Sequence, residues 1–134
     1  MDRQLTNFVL KGGRVLDPSS GLDGERDIHI HDNIVTAIGA DLKPGGATVI
    51  DVKGLIVTPG LIDVHLHLMN GLGAFGVDPD IFGVGSRVTT VVDAGSAGHN
   101  LLTVFRNYVT KNAKTRVLKL CQSFYLGRSN RAWL

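Results

Sequence analysis

The chain has 134 residues, 43% of them apolar, with 14 basic and 12 acidic side chains and a formal charge of +2. That is the length and balance of one ordinary globular domain, and it excludes a disordered chain. There is no basic stripe interleaved with aromatics, so nucleic acid is not an expected partner. The longest basic cluster, "KNAKTR" (111–116), reads as a solvated helix end.

A single cysteine, Cys121, excludes an internal disulfide and fits a reducing compartment. "MDRQLTNFVLKGG" contains no apolar run of signal-peptide length, and no later stretch is long enough to span a membrane. A soluble cytoplasmic protein is the expectation. The 17 glycines form no low-complexity tract. They fall between short apolar runs, as closely spaced strands with tight turns require.

"FVLKGGRVLD" (8–17) predicts two short β segments around Gly12-Gly13, and "PSSGLDGE" (18–25) a loop. "RDIHIHDNIVTAIG" (26–39) predicts a hairpin turning at Asp32-Asn33, with Ile28 and Ile30 alternating with polar neighbours. Ile34, Ala37 and Ile38 resume an apolar pattern. After a loop at 40–47, "TVIDVKGLIVTPG" (48–60) predicts two further β segments broken at Lys53-Gly54. Residues 1–60 thus read as a small all-β unit.

The character changes at 61. "LIDVHLHL" (61–68) is a strand, "NGLGAFG" (70–76) a glycine-rich loop, and "DPDIFGVGS" (78–86) a short helix capped by Asp78 with Pro79 at its first position. "RVTTVVDAG" (87–95) predicts a buried strand. "AGHNLLTVFRNYVTKNA" (97–113) predicts a helix, with Leu101, Leu102, Phe105, Tyr108 and Val109 at helical spacing. "TRVLKLCQSF" (115–124) begins a third strand, and 125–134 has no helical pattern. Strand, helix, strand, helix, strand is the order of parallel strands with crossover helices.

Two His-x-His pairs stand out. Alternation along a strand aims both rings of such a pair at one face, close enough to share a metal ion. Around 65 and 67, Asp63, His65 and His67 share one face, and Ile62, Val64, Leu66 and Leu68 take the other. A barrel strand needs an apolar outer face, and its C-terminal end is where such barrels carry chemistry. His65 and His67 are therefore the candidate metal ligands, with Asp63 placed to steady them. The alternative is a pair of neutral buried histidines, which costs a few kcal/mol unless each finds a hydrogen-bond partner.

Around 29 and 31, Asp27, His29 and His31 share a face that reads as the solvated side of a strand, with no further ligand in view. His99 reads as opening the helix at 97–113 rather than as a ligand. Asp93, at the end of its strand, can hydrogen-bond in the mouth of a site or cap the loop to Gly95; the residues leave both open.

"TPGLIDVHLH" (58–67), preceded by "DIHIHDNIVTAIG", resembles the amidohydrolase superfamily, which includes dihydroorotases, hydantoinases, cyclic deaminases and N-acyl deacetylases. The match to Thr-Pro-Gly-x-Ile-Asp-x-His-x-His is complete. "GVDPDIFGVGSRVTTVVDAGSAG" (76–98) is similar to the amidohydrolase/deacetylase branch, also called dihydroorotase-like.

The resemblance implies an α/β chain: part of a β-sandwich over 1–60, then about the first three strands of a (β/α)8 barrel over 61–124, with an irregular tail at 125–134. It implies one or two divalent ions, zinc first, held in part by His65 and His67. It implies a small amide, cyclic amide or acyl ester substrate, hydrolysed by a water that the metal activates.

The family's remaining ligands and its general base match nothing in this chain. Lys111, Lys114 and Lys119 precede the place where the family's bridging lysine falls. A full barrel takes about 250 residues, and two histidines cannot complete a four-ligand site. The chain alone is therefore expected to have little or no hydrolase activity. Either it is an inert fragment, or its protein partner is a chain carrying the other strands; a homo-oligomer is the other protein partner considered. With permissible codons, a one-nucleotide shift turns Lys119-Leu-Cys-Gln-Ser-Phe into Ser-Phe-Val-Asn-Leu-Ser, nearer the family pattern. The expectation this raises is a frameshift or early stop near residue 119, which reading the gene past codon 118 tests.

Overall fold

The computed structural model describes residues 6–71 and 76–120, the side chain of His99 excepted. The expected tail at 125–134, the end of the third strand at 121–124, Cys121 and part of the glycine-rich loop at 70–76 lie outside the described residues. The chain divides into two compact units, Met1–Pro59 and Gly60–Leu134.

The first unit is one five-stranded sheet. Its strands are β1 (Asn7–Asp17), β2 (Leu22–His31), β3 (Ile34–Gly39), β4 (Thr48–Asp51) and β5 (Ile56–Val57). The order is β3-β2-β1-β4, with β5 also pairing β1. β1 runs antiparallel to β2 and parallel to β4 and β5.

The two segments expected at 8–17 are one strand whose register shifts between Leu10 and Gly13. Gly12 takes a left-handed φ of 77° there, which costs glycine nothing. The loop expected at 18–25 is shorter than its composition suggests. β2 begins at Leu22 because Asp17 pairs Leu22, and the Arg14 guanidinium donates to Asp23, the next residue along β2. The hairpin turn falls at Asp32-Asn33 as expected, both with left-handed φ (49° and 64°), the geometry of a tight two-residue turn. Among the described residues of this unit, Val9, Val15 and Ile28 are the buried apolar ones.

The second unit holds a parallel sheet of β6 (Leu61–Leu66), β7 (Val88–Asp93) and β8 (Arg116–Lys119), in that order. The chain is thus a mixed α/β protein. Helix α1 (Pro79–Phe82) starts where expected: the Asp78 carboxylate accepts from Asp80 and Ile81 N–H, and Pro79 occupies the first turn. A 3-10 turn at Val84–Ser86 comes next.

The helix expected over 97–113 is broken into three pitches: 3-10 at His99–Leu101, α2 (Leu102–Phe105), and a π turn at Arg106–Thr110. The Asn112 amide then donates to the carbonyls of Asn107 and Tyr108 and closes the end. The change of pitch also changes which side chains reach the sheet. Phe105 is buried and Val104 and Val109 pack beside it, whereas Leu101, Leu102 and Tyr108 of the expected face are exposed. The core is Leu68, Met69, Val91, Ala97 and Phe105; a fully buried phenylalanine alone contributes about 2–3 kcal/mol.

Candidate functional site

The segment carrying the second histidine pair is irregular where it matters. Asp63 pairs Val91 and Leu66 pairs Asp93, so β6 carries one residue more than β7 across this interval. Such an extra residue is a bulge, which bends a strand and re-aims its side chains. The Asp63 carboxylate accepts the His65 N–H at 2.9 Å, taking a donor the interrupted ladder leaves over. Asp63 therefore steadies His65 through its backbone; the imidazole support expected of it is not the contact it makes.

Despite the bulge, the two rings meet. The ring centres of His65 and His67 stand 5.6 Å apart, edge to face at 82°. Two imidazoles bound to one tetrahedral ion place their ring centres roughly 5 Å apart, so these residues fit a shared cation. His65 is exposed and His67 half-buried. The buried-core alternative for the pair does not describe them. Among the described residues, no group of three or more His, Cys, Asp or Glu could hold a metal.

The backbone on either side of His67 is tied down. The His67 carbonyl accepts from Val77 N–H at 2.8 Å, which closes the base of the loop. The Leu66 carbonyl accepts from Ala94 N–H at 2.8 Å. Leu68 N–H donates to the Asp93 carboxylate at 3.0 Å.

Asp93 is wholly buried, which places it beneath any mouth rather than in it. It caps its loop, as one of the two open readings had it: Ser96 donates to it through both N–H (3.1 Å) and Oγ. It also pairs with Lys119 Nζ at 3.1 Å, whose side chain is only 7% exposed. Burial pushes the Asp93 carboxyl up, but the bonds from Ser96, Leu68 N–H and Lys119 outweigh it and hold the group below the usual carboxylate range. Lys119 Nζ further donates to the Ala97 carbonyl and lies 4.6 Å from the centre of the Phe105 ring. The lysine is spent on these partners.

The Asp93–Lys119 pair is the feature that sequence reasoning missed. The two residues are register partners on adjacent parallel strands, a relation invisible until the strands are aligned.

The first pair is occupied differently. His29 Nε2 shares a hydrogen bond of 2.8 Å with Asn7 Oδ1, and His31 is exposed beside Asp32. Asp27 departs from the solvated face expected of it. It is buried and accepts from Lys11 Nζ, Gly12 N–H and Leu42 N–H. A cavity of about 180 Å³ lies by Met69, Asn70, Asp78, Tyr108 and Asn112, and the His65–His67 pair does not line it.

No family model matches the chain, but many known proteins are similar to it in sequence or fold. A dihydroorotase of Citrifermentans bemidjiense is 54% identical over 63 residues, 46% of this chain and 15% of the relative. A solved dihydroorotase superposes with a TM-score of 0.76 at 27% identity, covering 87% of this chain and 31% of that one. An adenine deaminase superposes at 0.71 with 30% identity, covering 86% and 30%. The chain spans less than a third of the length of these proteins. These likenesses indicate the amidohydrolase superfamily.

Proposed function

We propose that this chain is the opening part of a metal-dependent amidohydrolase, dihydroorotase-like or a deacetylase, that cleaves amide, cyclic amide or acyl ester bonds of a small molecule in the cytoplasm. The observation that carries the reading is the His65–His67 pair, 5.6 Å between ring centres at the C-terminal end of a parallel strand. His65 and His67 would hold a divalent ion, zinc by the chemistry of two imidazoles. Bound there, the ion supplies an activated water and polarises the scissile carbonyl.

This chain's own residues do the holding. Asp63 fixes His65 through its backbone, and the loop base at Val77 fixes His67. The unit over Gly60–Leu134 corresponds to the first three strands of a (β/α)8 barrel, and the unit over Met1–Pro59 to part of a flanking β-sandwich. Equilibrium dialysis against zinc tests the assignment. The wild type should retain about one ion per chain, and His65→Ala/His67→Ala should retain none; equal retention by both overturns it.

A second reading is supported by the sheet itself. Ile62 and Val64 on edge strand β6 are 60% and 67% exposed, and Leu118 and Leu120 at the other edge are also uncovered. On this second reading the chain turns over no substrate alone, and is either inert or completed by another chain that supplies further barrel strands; among the described residues no third ligand group joins the pair. Purified chain with zinc, assayed on dihydroorotate and N-acyl amino acids, should show no turnover; robust turnover lost in His65→Ala overturns this second reading.

A further inference from the structure

We propose that Asp93 is a positioning residue for the histidine pair, setting the direction of His67 through its bond to Leu68 N–H. The inference rests on the reading of His65 and His67 as metal ligands.

A loop cap needs only the bonds to Ser96. Asp93 does more. One buried carboxylate ties together three segments: Leu68 after β6, Ser96 after β7, and Lys119 at the end of β8. Its own carbonyl accepts from Leu120 N–H at 2.9 Å.

His67 is thus bracketed. The residue before it is held through the Leu66 carbonyl by Ala94 N–H, and the residue after it through Leu68 N–H by Asp93. Both grips come from residues 93 and 94. The leucines cannot shift to relieve a broken bond, because Leu68 is buried in the core and Leu66 packs against it. Leu68 N–H also reaches Ser96 Oγ at 3.3 Å, but Asp93 itself holds that hydroxyl, so losing the carboxylate loosens both acceptors. A buried amide N–H with weakened acceptors is costly, and the backbone around His67 turns to improve the remaining bond. A swing of about 10° at the Cα carries the far ring nitrogen roughly 1 Å, beyond the ~0.5 Å within which a site must be held.

Lys119 makes the carboxylate tolerable in the interior. Removing Asp93 alone would strand that lysine, so the test removes the pair together. Asp93→Asn/Lys119→Met keeps an oxygen for Leu68 N–H and gives up one Ser96 bond. Asp93→Leu/Lys119→Met removes the carboxylate and leaves Leu68 N–H only the longer contact to Ser96 Oγ. The full chain and both variants are titrated with zinc while the histidine Hε1 resonances are monitored, and amide exchange at Leu68 is measured without metal.

The asparagine variant should bind zinc within about threefold of wild type. The leucine variant should bind about tenfold or more weakly, the size of effect seen when groups that orient metal ligands are lost, and its Leu68 amide should exchange faster. Wild-type affinity in the leucine variant, or unchanged exchange at Leu68, overturns the positioning role alone. A wild type whose His65 and His67 resonances ignore zinc overturns the ligand reading and the proposal with it. Should the leucine variant not fold, a large loss of zinc affinity in the asparagine variant contradicts the proposal.

Discussion

Gly76 lies against the Met69 carbonyl so closely that a Cβ on residue 76 would overlap it and the Asn70 nitrogen. Both contacts are to backbone, which cannot turn aside as a flexible side chain can. The next residue, Val77, donates its N–H to the His67 carbonyl at 2.8 Å. Gly76→Ala should therefore push Val77 away from His67, loosening the loop base and destabilising the second unit by about 1–3 kcal/mol. Thermal melting with amide exchange at Val77 checks this. An unchanged melt with Val77 still protected would show that the loop has room.

In the first unit the corresponding fastening is Asp27. Lys11 holds its carboxyl below the usual range against the opposing pull of burial, helped by the Gly12 and Leu42 N–H groups. A depressed folded pKa gives stability that is complete above the ordinary aspartate value of about 3.9 and is lost as pH falls through the folded value. Urea midpoints measured from pH 7 down into the acid range below about 3.9 should fall more steeply for wild type than for Asp27→Asn. At pH 7 the variant should be weaker by about 1–3 kcal/mol, since an amide cannot accept all three donors. Parallel pH profiles would show that Asp27 has no such role.

The exposed leucine, isoleucine and valine side chains at the two edges of the β6-β7-β8 sheet form a surface that other strands can pair with. The isolated chain should self-associate at micromolar concentration. Ile62→Lys/Val64→Lys should shift it toward monomer in light scattering. A monomeric wild type with a sharp melting transition would contradict this.

That the rings of His65 and His67 come together was legible from residue type and spacing. The second His-x-His pair ends an apolar strand and runs into glycines, whereas the first runs straight into a hairpin turn. The bulge at 64–65 was not legible, because it depends on Asp63 replacing a ladder bond with its own carboxylate. The broken helix over 99–110 was hidden for a related reason. Leu101, Leu102, Phe105, Tyr108 and Val109 keep helical spacing, but side-chain spacing does not report a switch to 3-10 and π pitch. Asp27 was placed on a solvated face by alternation alone, which the bulge at Gly12 and the reach of Lys11 overrode. Asp93 and Lys119 looked unrelated at 26 residues apart, and only the parallel register set them side by side.

The measurement closest to the central claim is X-ray absorption at the zinc edge on the zinc-loaded chain, with and without His65→Ala/His67→Ala. The wild-type spectrum should contain two imidazole nitrogens at about 2.0–2.1 Å, and that signal should vanish in the double variant while His29→Ala/His31→Ala leaves it intact. Imidazole scattering that survives the loss of His65 and His67, or disappears with His29 and His31, would contradict the account.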